Sequence, residues 1–88
     1  MKLKAKHILV EHEYEAKDLL KKLADGKAFE ELAKDFSQCS SSTQGGDLGE
    51  FSKGMMVPAF EKALLLLKPD EISGVVKTQF GYHIIKRL

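Results

Sequence analysis

The chain has 88 residues, of which 43% are hydrophobic, and its 14 Lys and Arg nearly balance its 13 Asp and Glu. Residues 1–88 are too few for more than one domain, and the single thin core leaves no room for a cofactor-sized interior cavity. The near-zero charge argues against a nucleic-acid binder, since such proteins carry a basic excess on one face.

The first half of the chain predicts a strand followed by two helices. Residues 6–10 (KHILV) form an apolar run without alternation, which is typical of a strand covered on both faces near the centre of a sheet. Apolar residues then recur at helical spacing on both sides of an Asp-Gly stop at 25–26. Glu30 and Lys34 are expected to form an ion pair on the second helix. The apolar positions are Ala16, Leu19, Leu20, Leu23 and Ala24, then Phe29, Leu32, Ala33 and Phe36.

A polar segment and a third helix follow. Residues 37–46 (SQCSSSTQGG) predict a surface loop, and residues 49–51 a short strand. The third helix has Pro58 in its first turn and is expected to end at Lys68. Its buried stripe is Phe60, Ala63, Leu64 and Leu67. Leu65 and Leu66 widen that stripe, so we expect this helix to be covered on more than one side.

The end of the chain predicts a hairpin. Residues 75–78 and 82–86 are strand-like and are joined by a tight turn at 79–81. The resulting order β-α-α-β-α-β-β predicts an α+β fold, a small sheet with helices packed around it.

Two histidines interrupt apolar strands, and each must satisfy its ring nitrogens or lose stability. His7 and His83 are either core residues bonded to each other or to a hydroxyl such as that of Thr78, or members of a polar site on one face of the sheet. His12 lies among glutamates and is expected on the surface.

Cys39, in the polar loop, is either an incidental small residue or a thiol placed near the histidines. A Cys-His hydrolase would need an acid or amide to orient the histidine, and the chain contains no Asn. A metal site from His7, His83 and Cys39 has no supporting ligand spacing. Exposed Met55, Met56 and aromatic side chains are instead the kind of surface that holds apolar ligand groups.

Compartment is indicated by three absences. A single cysteine excludes an internal disulfide and favours a reducing compartment. The longest apolar run, residues 63–67, is far shorter than the ~20 residues of a membrane span. No apolar stretch of a secretory signal follows the basic N-terminus. We therefore expect a cytoplasmic protein that does not bind membranes, with an excised domain of an exported protein as the alternative.

Five motifs in this order resemble the parvulin family of peptidyl-prolyl cis–trans isomerases over nearly the whole chain. They are KHILV at 6–10, FSQCS at 36–40, GDLGEF at 46–51, GMMVPAF at 54–60 and TQFGYHII at 78–85. The resemblance implies a four-stranded antiparallel sheet wrapped by helices, of the parvulin/FKBP-like type, with the first and last strands at its centre. It also implies isomerisation of Xaa-Pro bonds by a non-covalent mechanism, without metal or other cofactor.

The resemblance assigns roles to individual positions. The polar catalytic set is His7, Cys39, Thr78 and His83, and the family replaces the cysteine by aspartate in other members. The apolar set that receives the substrate proline is Leu48, Met56 and Phe60, with Phe80 beside it.

Substrate choice and partners follow as expectations. The phosphorylation-directed branch of the family carries bases after the first strand, whereas residues 11–15 here read EHEYE and would repel a phosphate. We expect a monomer that acts on proline-containing peptides and on unfolded or partly folded proteins. The alternative is a parvulin-like chaperone or peptide-binding module with weak or no isomerase activity, and a Cys-dependent hydrolase or redox protein is a more distant one.

Overall fold

A computed structural model describes residues 2–88, which contain four strands, three α-helices and a short 3-10 helix. The order of the strands and α-helices is the predicted β-α-α-β-α-β-β. No helix in this part of the chain is long and apolar enough to cross a membrane. The elements are β1 (Lys2–Val10), α1 (Glu13–Ala24), α2 (Phe29–Phe36), the 3-10 helix (Ser40–Gln44), β2 (Asp47–Ser52), α3 (Pro58–Leu65), β3 (Val76–Thr78) and β4 (Gly81–Arg87).

The sheet is antiparallel with the order β2-β1-β4-β3, so the first and last strands lie at its centre as predicted. Pairing of β1 with β4 runs from Ala5 opposite Arg87 to Val10 opposite Tyr82. In this register Leu9 lies opposite His83, and His7 lies two residues away along the same face. The sheet therefore brings the two strand histidines together.

Helices cover both faces of the sheet, which explains the unbroken apolar runs of the central strands. On the first face, called the α1/α2 face, β1 and β4 pack against α1 and α2. On the opposite face, called the α3 face, β1, β2 and β4 pack against α3. The first cluster contains Ile8, Val10, Ala16, Leu19, Phe29, Leu32, Ala33 and Ile84, and the second contains Leu3, Ala5, Phe51, Phe60, Leu64 and Ile85.

β1 begins at Lys2, earlier than the predicted residue 6. Its first residues alternate between exposed lysines and buried Leu3 and Ala5, and Lys2 pairs with Ser52 of β2. The prediction was limited to the run that both helical layers cover, because only that run lacks alternation. The strand continues where one face is open to solvent.

α3 ends at Leu65, and the prediction that it is covered on more than one side is wrong for Leu66. That side chain is 79% exposed, whereas Leu64 is fully buried. The chain turns at Leu66, and the carbonyl of Leu67 accepts a hydrogen bond from Arg87 Nη1 at 2.7 Å. A run of four leucines therefore includes one that faces water at the helix end.

Glu30 does not form the expected pair with Lys34. Its Oε1 lies 2.9 Å from Nζ of Lys6, so the ion pair joins α2 to β1. The strand lysine reaches the helix because β1 and α2 pack together, a contact that helical spacing alone does not reveal.

Residues 37–46, the edge segment, are not a free surface loop. After β1 separates from β2, this segment takes the position of a partner along β1. His7 N–H donates to Gly46 O at 3.0 Å, and Gln38 N–H donates to Leu9 O at 2.8 Å. Leu9 N–H donates to Ser37 Oγ at 3.0 Å. Gly46 has φ +85°, and a Cβ there would lie 2.4 Å from the His7 carbonyl oxygen, so this close approach requires glycine.

Candidate functional site

The two strand histidines form a stacked pair on the α3 face. Their ring centroids are 5.2 Å apart with planes 19° from parallel, and their Nδ1 atoms are 3.1 Å apart. Only 3% of His7 and 4% of His83 is exposed. One Nδ1 must donate and the other accept, so both rings cannot be protonated on Nδ1 at once.

A threonine extends this contact into a hydrogen-bonded chain. Thr78 Oγ1 lies 2.7 Å from His83 Nε2 and also accepts the Phe80 N–H at 3.2 Å. Thr78 is the last residue of β3, so the hairpin places its hydroxyl over β4. At the other end of this series of hydrogen bonds, His7 Nε2 is buried without a hydrogen-bond partner among residues 2–88.

Burial keeps both rings neutral at neutral pH. Removal from water, together with a smaller contribution from the neighbouring His83, lowers the pKa of His7 to about 4. Burial also lowers the pKa of His83. The pair is therefore a neutral hydrogen-bonded unit rather than a cationic site.

Phe60 packs against both histidines from α3. Its ring meets each imidazole edge to face, with centroids 5.5 Å apart in both contacts. Pro58, in the first turn of α3, starts the helix that carries this phenylalanine into the core. Phe60 is fully buried and holds the histidine pair against the sheet.

A cavity of about 380 Å³ opens above this floor of three rings. β1, the edge segment, β2, the residues before α3 and the β3–β4 turn all contribute to its walls. Apart from the thiol and the two imidazoles, its lining is apolar. The lining residues are His7, Leu9, Cys39, Leu48, Met55, Met56, Val57, Phe60, Phe80 and His83.

The structure brings the predicted site residues together. All four members of the apolar set, and three of the polar set, line this cavity. Thr78 is the exception, since it reaches the cavity only through its contact with His83. Within residues 2–88, no hydrogen bond joins the Cys39 thiol to either imidazole, and no three His, Cys, Asp or Glu side chains group as a metal site would require.

Sequence reasoning assigned no role to Leu9, which lines the cavity. Leu9 follows His7 by two positions, so alternation along β1 directs both side chains to the same face. Met55 adjoins Met56 and is 71% exposed. Strand periodicity is the signal that could have identified Leu9, whereas Met55 was already expected on a surface that holds apolar ligand groups.

A second concavity lies beside α1. It is larger, about 550 Å³, and combines apolar residues with charged side chains of α1. None of its residues is a buried titratable group. Its lining residues are Val10, Tyr14, Glu15, Lys17, Asp18, Leu19, Lys21 and Phe36.

Comparison with known proteins gives consistent matches. A family model described as rotamase, PPIC-type PPIASE domain, matches residues 3–88. Foldase protein PrsA 1 of Bacillus cereus is 55% identical over 85 residues, which cover 96% of this chain and 30% of that protein. The crystal structure of peptidylprolyl isomerase (PrsA) from Bacillus anthracis aligns with a TM-score of 0.96 at 53% identity, covering 98% of this chain and 40% of that one.

A shorter protein matches along almost its entire length. The solution structure of NmPin, the parvulin of Nitrosopumilus maritimus, aligns with a TM-score of 0.87 at 48% identity, covering 99% of this chain and 95% of that chain. By contrast, the chain spans about 30% of the length of the PrsA relatives. These matches confirm the fold and the resemblance read from the five motifs. The chain belongs to the PPIC-type peptidyl-prolyl isomerases, the parvulin family.

Proposed function

We propose that this chain, as one domain of residues 1–88, catalyses cis–trans isomerisation of Xaa-Pro bonds in polypeptides and so assists protein folding. The observation that carries the proposal is an apolar cavity whose floor contains two neutral, buried imidazoles. Such a site offers apolar contact to a proline ring and polar atoms close to the bond that rotates.

The apolar side of the cavity receives the proline ring. Leu48 lies in β2, Met56 in the segment that precedes α3, and Phe60 in α3 itself. The three side chains therefore enclose a ligand from different directions. Phe80 is 62% exposed and lies at the rim. Burying the ring between these side chains removes apolar surface from water, and that burial supplies the binding energy.

Catalysis requires preferential binding of the twisted amide. Rotation about the bond faces a barrier of ~18–20 kcal/mol, most of which is lost amide resonance. Twisting returns electron density from the carbonyl oxygen to the amide nitrogen, so the transition state differs electrostatically from either planar isomer. A cavity that holds the proline ring still while polar groups stabilise the rotating carbonyl lowers this barrier.

His7, His83 and Cys39 supply those polar groups, and Thr78 supports them through its contact with His83. The imidazoles and the Thr78 hydroxyl already bond to one another, and the lowered pKa of each ring disfavours proton uptake. Their role is to hold the polar network in shape, with no proton transfer and no covalent intermediate. Cys39 lines the cavity beside them and contributes a weak S–H dipole.

Substrate preference excludes phosphorylated residues before proline. Glu11 and Glu13 are exposed after β1, and Glu13 and Glu15 lie in the first turn of α1 rather than in a loop. Glu15 Oε1 accepts the His12 N–H at 3.1 Å, so a carboxylate of this chain occupies the helix N-terminus that would attract a phosphate. Val57 makes the cavity rim apolar and favours an apolar residue before proline.

The decisive experiment is an isomerase assay on matched peptides with Ala-Pro, Glu-Pro and phosphoSer-Pro. We expect acceleration for Ala-Pro, less for Glu-Pro and least for phosphoSer-Pro. Binding of the Ala-Pro peptide, seen by chemical-shift mapping, without any acceleration would favour the alternative of a chaperone or peptide-binding module. A preference for the phosphopeptide would contradict the proposed specificity.

Replacing the cysteine tests the remaining enzyme class. Cys39→Ser keeps a small polar group, so a non-covalent isomerase should retain most of its activity. A Cys-dependent hydrolase or redox protein would instead lose its reaction entirely.

The clients, the oligomeric state and the cellular location of the protein remain predictions. The clients of this protein would be unfolded or partly folded proteins, consistent with the name foldase that the PrsA relatives carry. The expected monomer is tested by sedimentation equilibrium, and the expected cytoplasmic location by fractionation of the source cells.

A further inference from the structure

One wall of the cavity consists of irregular chain. Met55, Met56 and Val57 lie between the end of β2 and the start of α3, outside both elements. The adjacent turn places Gly54 at φ +94°, a conformation suited to glycine. A wall of this kind needs contacts from outside the turn to keep its distance from the cavity floor.

A carboxylate on α3 supplies such a contact. Glu61 Oε1 accepts the Gly54 N–H at 2.6 Å, a short bond to a charged acceptor. Inside the turn, Met55 N–H donates to Ser52 O at 3.2 Å, and Ser52 N–H donates to Met55 Sδ at 3.4 Å. Among these contacts, the Glu61 bond ties the turn directly to a helix.

Glu61 directly follows Phe60, so one turn of α3 carries both the floor of the cavity and the tether of its methionine wall. The Glu61 side chain itself does not line the cavity. We infer that Glu61 is a positioning residue for proline binding, which sets the distance between the Met55–Met56 wall and the Phe60 ring. The inference rests on the proposed isomerase function and identifies what holds its pocket in shape.

The test is Glu61→Ala, measured by NMR on a proline peptide for both affinity and the rate of isomer exchange. Freeing the wall should raise KM by about three- to tenfold, the effect of losing one hydrogen bond to a charged acceptor near the surface. The value of kcat should change less than twofold, because the bound substrate still meets His7, His83 and Phe60. Glu61→Gln retains an acceptor oxygen and should recover most of the affinity.

Glu71→Ala is the matched control. Glu71 Oε1 accepts the Lys68 N–H, also at 2.6 Å, in an exposed turn that does not line the cavity. This variant should lose similar stability in urea unfolding while KM stays at the wild-type value. The Gly54 amide resonance should move upfield in Glu61→Ala and stay in place in Glu71→Ala.

Three outcomes would overturn the inference: an unchanged KM in Glu61→Ala, an equal rise in Glu71→Ala, or no recovery in Glu61→Gln. Failure of the proposed function would look different. Wild-type protein would then show no isomer exchange, while the Gly54 resonance and the peptide affinity would still report whether Glu61 shapes the pocket.

Discussion

Each face of the sheet carries a concavity, and the larger of the two is not the candidate site. The groove beside α1 measures about 550 Å³ and is bordered by exposed Tyr14 and Phe36 and by charged side chains of the helix. The cavity on the α3 face measures about 380 Å³ and lies above two buried imidazoles. Chemical content, rather than volume, distinguishes the site.

The buried side chains of the two central strands also differ between the two faces of the sheet. Towards α1 and α2, the buried strand residues Ile8, Val10 and Ile84 are aliphatic. Towards α3, the same two strands present His7 and His83 beside aliphatic neighbours. Both faces stabilise the fold by apolar burial, but only the α3 face also buries polar rings, at a cost in stability, and gains a site.

Large core truncations on the two faces should separate stability from activity most strongly. Phe60→Ala should destabilise the protein by about 3–5 kcal/mol, and Leu19→Ala by about 2–5 kcal/mol, since both residues are almost fully buried. Only Phe60→Ala should also abolish peptide binding. Urea unfolding and isomerase assays at low temperature measure the two effects, and Phe60→Leu serves if the alanine variant does not fold. A Leu19→Ala variant that folds but is inactive would contradict the prediction that only the α3 face affects activity.

Lowering the pH should weaken the α3 face first. An unfolded histidine takes up a proton near its usual pKa of about 6.5, whereas folded His7 does so at about 4, so the unfolded state binds more protons between these values. The free energy of unfolding should therefore fall as pH falls through this window. The loss is roughly 3 kcal/mol for His7, at 1.36 kcal/mol per pKa unit, and the lowered pKa of His83 adds to it.

Urea unfolding at a series of pH values measures this loss. His7→Leu should flatten the curve between pH 6.5 and 4, because it removes a group whose pKa differs between the folded and unfolded states. The Lys6 ammonium, by its hydrogen bond, lowers the pKa of Glu30 below its usual 4.5, so the stability from this carboxylate is present above about pH 4.5 and is lost only as the pH falls below that value. Equal slopes in wild type and His7→Leu would contradict the assignment.

Removing the Thr78 hydroxyl should produce a smaller effect on both stability and turnover. Thr78→Val keeps the side-chain shape but leaves His83 Nε2 and the Phe80 N–H without their partner, at a cost of about 1–2 kcal/mol. Thr78→Ser should restore both. Thermal unfolding and the isomerase rate check this, and a wild-type melting temperature with full activity in Thr78→Val would show that the hydroxyl supports neither.

The ion pair on the α1/α2 face should matter least. The Glu30 side chain is 41% exposed and Lys6 is 17% exposed, so solvent screens their attraction. A double-mutant cycle with Lys6→Met and Glu30→Gln should give a coupling of about 0.5–1 kcal/mol, with isomerase activity unchanged. A loss of activity would mean that α2 is coupled to the site.

Much of the fold was predictable because the central strands and the helices obey strong periodicities. The unbroken apolar runs identified the two strands covered on both faces, and their histidines indicated a polar site. The spacing of the apolar residues did not show at which residues a strand or helix stops being covered by its neighbours. Lys2 therefore lay outside the predicted strand, and Leu66 was assigned to a buried stripe although it faces water.

The five motifs identified most of the residues that line the candidate site, but not how those residues are arranged. The sequence suggested that His7 and His83 could bond to each other, but it did not indicate that their Nδ1 atoms make the contact, or that the edge segment bonds along β1. Leu9 and Glu61 illustrate the reason. Leu9 lines the cavity together with residues that are distant in the chain. Glu61 binds a turn whose conformation depends on tertiary contacts.

The edge segment also has a consequence for the protein at high concentration. An open row of strand amides and carbonyls is a template on which a second molecule can add a strand. Ser37, Gln38 and Gly46 occupy part of that row on β1. The outer strand β3 is only three residues long, and Gly49 at φ +70° interrupts the regular backbone of β2. The same contacts that bring Cys39 to the cavity thus leave little edge for self-association into larger sheets.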